Sequence, residues 1–198
     1  MKYFTGITEI PNNAFNGCTS LWKVAWSENV KTIGNKAFYN NKGIANINFL
    51  AEVTTIGDEV FYGCSGVLSA TIPDSVTKIG SSVFRGATAL EKLYIGRNVE
   101  TIACCFLTNC TNVEVFCLAS TPPALGYHST GGNGNSNYYS YFFSYTTEYV
   151  NGTSYIYLHE VTNSSTIRLN VREDCVDLYK SAVGWKMYSN MIYGYNFE

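Results

Sequence analysis

Written in rows of 23, this chain resolves into vertical columns of apolar residues. Ile10, Ile33, Ile56, Ile79 and Ile102 form one column, and Phe15, Phe38, Phe61, Phe84 and Leu107 another. Leu21, Ile44, Val67, Leu90 and Val113 make a third, and Val24, Ile47, Ala70, Leu93 and Phe116 a fourth. Trp26, Phe49, Ile72, Ile95 and Leu118 make a fifth; Val30, Val53, Val76 and Val99, extended upstream by Ile7, make a sixth. No gap is needed from Ile7 to Leu118. A unit this short cannot bury its own apolar side chains, but stacked units align the columns into one core. The constraint is therefore a solenoid.

Within a row, Leu21-x-x-Val24-x-Trp26 has the L-x-x-L-x-L spacing of a leucine-rich repeat. The alternation around Val24 and Trp26 is that of a strand with one face inward. Ile33-Gly34 turns the chain, and Ala37-Phe38 then brings a ring into the core from a short helical, 3₁₀ or turn segment. The expected fold is a right-handed curved leucine-rich-repeat solenoid with one β strand and one short helix or turn per repeat. A C-terminal cap carrying an inserted β-hairpin and a helix would close it.

Ile10-Pro11-Asn12-Asn13-Ala14-Phe15-Asn16-Gly17-Cys18 and Ile79-Gly80-Ser81-Ser82-Val83-Phe84 resemble the I-G-x-x-A-F-x-x-C core of BspA-like leucine-rich repeats. The resemblance spans residues 7–126. It resumes at Ile167-Arg168-Leu169-Asn170-Val171, Val176–Lys180 and Gly184-Trp185, which look like that family's capping segment. It implies a bacterial cell-surface or secreted protein engaged in adhesion or host-protein binding. No functional residue carries over, because the family shares a scaffold rather than a site. The organisation read from the sequence is repeats over 1–126, a Tyr/Ser/Gly/Asn-rich insertion over 127–165, and a capping strand and helix over 166–198. In the cap, Val176, Tyr179, Val183 and Trp185 approximate helical spacing, Asp174 is the expected N-cap and Gly184 the expected stop.

A net charge of -2 gives no surplus of Lys and Arg for nucleic acid or an anionic membrane. No apolar run reaches the ~18 residues of a spanning helix. The N-terminus lacks an apolar signal region, and a leader already removed reconciles this with an extracellular or cell-surface setting. Oligomeric state leaves no signal in the sequence.

The chain has seven cysteines. Cys18, Cys64 and Cys110 share one column two rows apart, roughly 9–10 Å at ordinary strand spacing and too far for a disulfide. They read as small core residues, with Asn41 and Ala87 filling the same column by size. Cys104 and Cys105 are vicinal, Cys117 is expected to point outward, and Cys175 lies in the cap. Without a C-x-x-C pair, no metal site is expected.

Catalytic signals are as thin. There are two histidines, His128 and His159, and no G-x-S-x-G elbow. Asp58, Glu59, Asp74, Glu91 and Glu100 read as solvated, and Gly131-Gly132-Asn133-Gly134 as a linker rather than a phosphate loop. The expectation is no enzyme, no catalytic residue and no cofactor. Two segments remain for binding. The solvent face of the strands would carry Lys23 and Ala25, Asn46 and Asn48, Ser69 and Thr71, Lys92 and Tyr94, Val115 and Cys117. Of these, Lys23, Asn46, Asn48, Thr71, Lys92 and Tyr94 are candidate ligand contacts. The insertion adds Tyr138, Tyr139, Tyr141, Tyr145 and Tyr149, and Val150-Asn151-Gly152-Thr153 reads as a hairpin turn between arms 145–150 and 154–160. Tyr among Ser, Gly and Asn is the composition of a binding surface. The same rings could instead cover the solenoid's open end. The partner expected is a host or matrix protein or a glycan. The alternatives are a structural spacer within a longer repeat protein and, less favoured by the residues, an enzyme.

Overall fold

Each row folds into one turn of a coil, and every row after the first contributes to two parallel sheets. The computed structural model describes residues 6–49, 51–129, 138–140, 146–150, 153–157 and 167–197, with backbone alone between 127 and 157. The first sheet stacks two-residue strands in the order β1 (Glu9–Ile10), β2 (Thr32–Ile33), β4 (Thr55–Ile56), β6 (Lys78–Ile79), β8 (Thr101–Ile102) and β10 (Ala124–Leu125). The second, longer sheet runs β3 (Asn46–Asn48), β5 (Ser69–Ile72), β7 (Lys92–Ile95), β9 (Glu114–Cys117), β15 (Arg168–Arg172) and β16 (Ile192–Tyr195). The isoleucine column is held in register, with Ile33 opposite Ile56 and Ile79 opposite Ile102.

The arc carrying the phenylalanines is a run of turns, not a helix. Alternate residues along it bond within the row, as in Tyr39 N–H to Lys36 O at 3.1 Å and Asn41 N–H to Phe38 O at 3.3 Å. The residues between donate to the next row, as in Phe38 N–H to Val60 O and Asn40 N–H to Tyr62 O. A helix would keep every one of these bonds inside the row. It is prevented by left-handed backbone at Asn13, Lys36, Glu59, Ser82 and Cys105, φ 54–61°. Asn12, Asn35 and Asp58 reinforce the stacking, each side chain accepting the backbone N–H 23 residues on. The rings of Phe15, Phe38, Phe61 and Phe84 stack one above another at 5.2–5.7 Å.

The core fills the coil from Val30 to Leu125 and continues into the cap. The first row departs from expectation. Residues 21–27 form no strand, Ile7 and Phe15 are exposed, and Leu21, Val24 and Trp26 are only half-buried. They line an apolar hollow of about 360 Å³.

The fifth row corrects the sequence alignment. Leu93 lies opposite Val115, Tyr94 opposite Phe116 and Ile95 opposite Cys117, an offset of 22 rather than 23. Val113-x-Val115 replaces Leu90-x-x-Leu93, and the residue is recovered before β10, where Ile102 again meets Leu125 at 23. A slip of one exchanges the two faces of a strand. Val115 and Cys117 therefore point inward and are fully buried, while Phe116 sits on the outer face. The expected outward Cys117 is instead 3.3 Å from the Tyr179 hydroxyl.

All seven cysteines are free thiols. Cys64 and Cys110 are buried, whereas Cys18 is exposed because its row is uncovered. Three members of their column also donate a hydrogen bond, while Ala87 fills it by size alone. The thiols of Cys64 and Cys110 donate to the carbonyls of Phe38 and Phe84, and the Asn41 amide donates to that of Phe15, each 26 residues upstream.

After β10 come two antiparallel pairs, β11 (Tyr127–Ser129) with β12 (Tyr138–Ser140), and β13 (Thr146–Val150) with β14 (Thr153–Tyr157). Val150 opposite Thr153 leaves Asn151-Gly152 between the arms of the second, as the hairpin signal requires. Strand β15 then returns beside β9. A 3₁₀ turn at Glu173–Cys175, helix α1 (Val176–Ser181) and a second 3₁₀ segment at Lys186–Met191 lead to β16. The N-cap of α1 is Cys175, not Asp174, and no side chain caps it. Val183 is exposed, since the helix ends at Ser181. Tyr179 and Trp185 are fully buried and pack edge to face at 5.3 Å. Their polar tips reach back to the coil: Tyr179 Oη donates to Ala119 O at 2.9 Å, and Trp185 Nε1 to Pro123 O at 2.6 Å.

Candidate binding face

The register fixes what the outer face of the long sheet displays. One column across the strands is Asn48, Thr71, Tyr94, Phe116, Asn170 and Tyr193. Beside it run Asn46, Ser69, Lys92, Glu114 and Arg168. On the other side, Arg172 pairs with Tyr195 next to Leu118.

The two ends of this face differ. At the β3 end the groups are polar, and Ser69 Oγ donates to Asn46 Oδ1 at 2.7 Å. Asn46, Asn48, Thr71 and Lys92 are exposed on it, and Tyr94 is half-buried. Lys23 is exposed but belongs to the strandless first row, where it rims the apolar hollow instead. At the β16 end the face is aromatic. Tyr94 stacks on Phe116 at 4.8 Å, and Tyr195 and Phe197 pack edge to face on Phe116 at 5.2 and 6.4 Å. The Arg168 guanidinium lies 4.3 Å above the Tyr193 ring. Asn170 is buried beneath and donates to Glu114 Oε1 and Val115 O.

Two arginines border the rings. Arg172 donates from Nε and Nη2 to the two carboxylate oxygens of Asp174, at 3.1 and 2.8 Å. These bonds hold the Asp174 carboxyl below its usual range and raise the arginine further. Arg97 lies 3.5 Å from Asp74 Oδ2 and donates its backbone N–H to Oδ1 at 2.8 Å. A hollow of about 480 Å³ lies among Arg97, Leu118, Arg172, Glu173, Tyr195 and Phe197. A second, of about 440 Å³, lies among Thr71, Pro73, Asp74, Tyr94 and Leu118.

A second ladder lies on the turn side and is already internally paired. Tyr39 stacks on Tyr62 at 4.8 Å, Arg85 lies 5.6 Å over Tyr62, and Lys36 pairs with Glu59 at 3.6 Å. The buried thiols offer no nucleophile at neutral pH. Burial pushes Cys64 and Cys110 up to about 12 and raises Cys117 as well. Among the described residues no three His, Cys, Asp or Glu side chains converge as metal ligands. Among the described residues no helix is long and apolar enough to cross a membrane.

Sequence reasoning located the face but missed its aromatic half. Phe116 was hidden by the one-residue slip. Tyr193, Tyr195 and Phe197 lay within the expected cap, 166–198, but after its expected helix, where a second capping strand, β16, was not foreseen. In the insertion, Tyr138 and Tyr139 belong to β12 and Tyr149 to β13, described as backbone. Tyr141, Tyr145 and His159 lie outside the described residues, as does the choice between capping and binding for the insertion's rings.

Two parallel sheets built from stacked 23-residue rows define a leucine-rich-repeat solenoid. The chain belongs to the BspA-type leucine-rich repeat family, whose repeat region it matches in six copies over residues 2–120. That is one copy more than the five rows. It is a family of protein-interaction repeats. Among solved structures it is similar to a leucine-rich repeat protein from Bacteroides ovatus ATCC 8483, with 26% identity and a TM-score of 0.49. That match covers 55% of this chain and 31% of the other, so the chain spans about a third of that protein's length. None of the curated proteins matches.

Proposed function

We propose that this chain is a non-enzymatic binding module of the cell surface or secreted space, recognising a protein or glycan through the outer face of its long sheet. The observation that carries this reading is the aromatic cluster on the outer side of the long sheet, in which Tyr195 is exposed and Tyr94 and Phe197 are half-buried around a buried Phe116. The Tyr195 ring, 45% exposed, has no core to fill. Rigid rings there offer contact area at low entropic cost. The polar end, with Asn46, Asn48, Thr71 and Lys92, supplies hydrogen bonds along the same surface. The insertion, residues 127–165 in this division, adds Tyr138, Tyr139, Tyr141, Tyr145 and Tyr149 as a second contact region. The repeats at 1–126 and the cap at 166–198 act as its frame. An array of immobilised matrix proteins and glycans tests this. Binding should be lost in Tyr94→Ala or in a triple change of Tyr138, Tyr139 and Tyr141 to Ala; an array blank for the unaltered chain overturns it.

A second reading is a spacer within a longer repeat rod. Its support is the apolar hollow at the first row, which another coil of the same columns would cover. Stabilisation of this chain by an added upstream repeat, read as a higher urea midpoint, is the outcome that reading requires.

A further inference from the structure

Resting on that binding reading, we propose that the β9–β15–β16 end of the sheet is a subsite for a neutral oligosaccharide. The two hollows meet at Leu118, which lines both, and together they run from Tyr94 to Tyr195. Each lies within the ~300–1,000 Å³ of small-ligand clefts. The Tyr94 and Tyr195 rings both contact Phe116, at 4.8 and 5.2 Å, so their centroids lie within about 10 Å of each other, a span that suits two linked sugar rings better than a single one.

Charge selects the ligand class. The lining holds two arginines, Arg97 and Arg172, and three carboxylates, Asp74, Glu173 and Asp174. Both arginines are already paired with aspartates. The site therefore carries a slight negative excess and no unneutralised cation, so a sulfated or uronic-acid chain is repelled rather than held. A neutral polyol uses what the pairs leave over. Each guanidinium has five N–H donors and spends only some of them on its aspartate, while each carboxylate keeps lone pairs free. Fixed adjacent donors and acceptors match the adjacent hydroxyls of a sugar. Tyr195, nearly half exposed, supplies an apolar ring with a polar tip for the C–H face of the same sugar. Phe116 and Phe197 hold that ring in place, so little rotamer freedom remains to be lost on binding.

Affinity electrophoresis of the full chain through gels containing xyloglucan, mixed-linkage β-glucan, galactomannan or glycogen tests this, with polygalacturonate and heparin as charged comparators. At least one neutral polymer should retard the chain, and heparin and polygalacturonate should not. Tyr195→Ala should weaken retardation about tenfold, the usual effect of truncating an aromatic anchor. Tyr195→Phe should keep it, Arg172→Ala should weaken it, and Lys78→Ala, exposed on β6 of the other sheet, should leave it unchanged. Circular dichroism confirms that each variant is folded. Retardation that survives in folded Tyr195→Ala, or by the anionic polymers alone, overturns the proposal. Blank neutral gels together with Tyr94-dependent binding to immobilised collagen or laminin overturn the saccharide assignment and leave the face as a protein-binding surface. Blank results with both overturn the subsite and the face together.

Discussion

The ring of Phe116 lies flat against that of Tyr94, 4.8 Å away and 11° from parallel, although it comes 22 residues later in a chain that repeats every 23. The contact exists because one residue is missing between Val113 and Val115. That deletion leaves Val115 and Cys117 beneath the sheet and puts the large ring on top. The position of the deletion therefore decides which face is aromatic.

An inserted residue should consequently be tolerated in one place and damaging a few residues away. An alanine between Val113 and Glu114 restores the ordinary spacing ahead of β9 without changing its faces, and should shift stability by no more than about 1 kcal/mol. An alanine between Val115 and Phe116 turns the rest of the strand over, drives Phe116 inward and removes Cys117 from Tyr179. That variant should lose about 2–5 kcal/mol, the scale of a large core change. Urea denaturation of both checks the register directly.

What the sequence disclosed and what it hid have separate physical causes. Columns of Ile, Phe and Val are visible because burial selects apolar identity at a fixed period. The slip in row five was invisible because Val115, Phe116, Cys117 and Leu118 are all apolar, so alternation offers no choice of face. The turns at Lys36 and Glu59 were hidden for a different reason. Left-handed backbone is ordinarily announced by glycine or asparagine, and here inter-row hydrogen bonds impose it on other residues. Strand β16 escaped because the helix was expected to finish the cap. Half of the aromatic face was lost with it.

The thiols give a pH prediction. Cys64 and Cys110 are pushed from 9.0 up to about 12 by burial, so the fold favours their protonated form. A group raised in the folded state contributes stability in full below its unfolded value and loses it as pH climbs through the folded one. Stability should thus fall between about pH 9 and pH 12, and Cys64→Ala should flatten that slope in urea titrations. At pH 8 iodoacetamide should label exposed Cys18 readily. Cys64 and Cys110, with about a thousandfold less thiolate than a thiol at 9.0, should stay unlabelled until the chain unfolds.

Asn41 is an imperfect member of its column. Its Nδ2 donates to Phe15 O at 2.7 Å, as the thiols of Cys64 and Cys110 donate to Phe38 and Phe84 at 3.1 and 3.3 Å. Its Oδ1, however, is buried without a hydrogen-bond partner. Asn41→Cys keeps a donor and removes the unpaired acceptor, so it should stabilise the chain by about 1 kcal/mol. Asn41→Asp buries a charge in the same place and should destabilise strongly. A lower urea midpoint for Asn41→Cys would show that the column depends on the amide rather than on any small donor.

The cap can be tested as a coupled pair. Tyr179 and Trp185 pack at 5.3 Å and tie separate carbonyls of the last coil, those of Ala119 and Pro123, to the C-terminal segment. Tyr179→Phe leaves the Ala119 carbonyl and the Cys117 thiol without that hydroxyl, and should cost about 1–3 kcal/mol. Trp185→Phe removes the donor to Pro123 and should cost a similar amount. Because the rings touch and both hold β15 and the helix against one row, the double variant should depart from additivity by at least about 0.5 kcal/mol. Trp185→Ala should be the most damaging, about 3–5 kcal/mol, since it empties one of the largest fully buried volumes in the chain. Losing that anchor should also release β16 from β15 and take Tyr195 from its place over Phe116. The same variant should therefore lose binding at the aromatic end, and amide exchange should show β15 and β16 opening before β5 and β7 do. Simultaneous opening of all four strands would mean that the cap and the coil are one cooperative unit rather than a frame and its clamp.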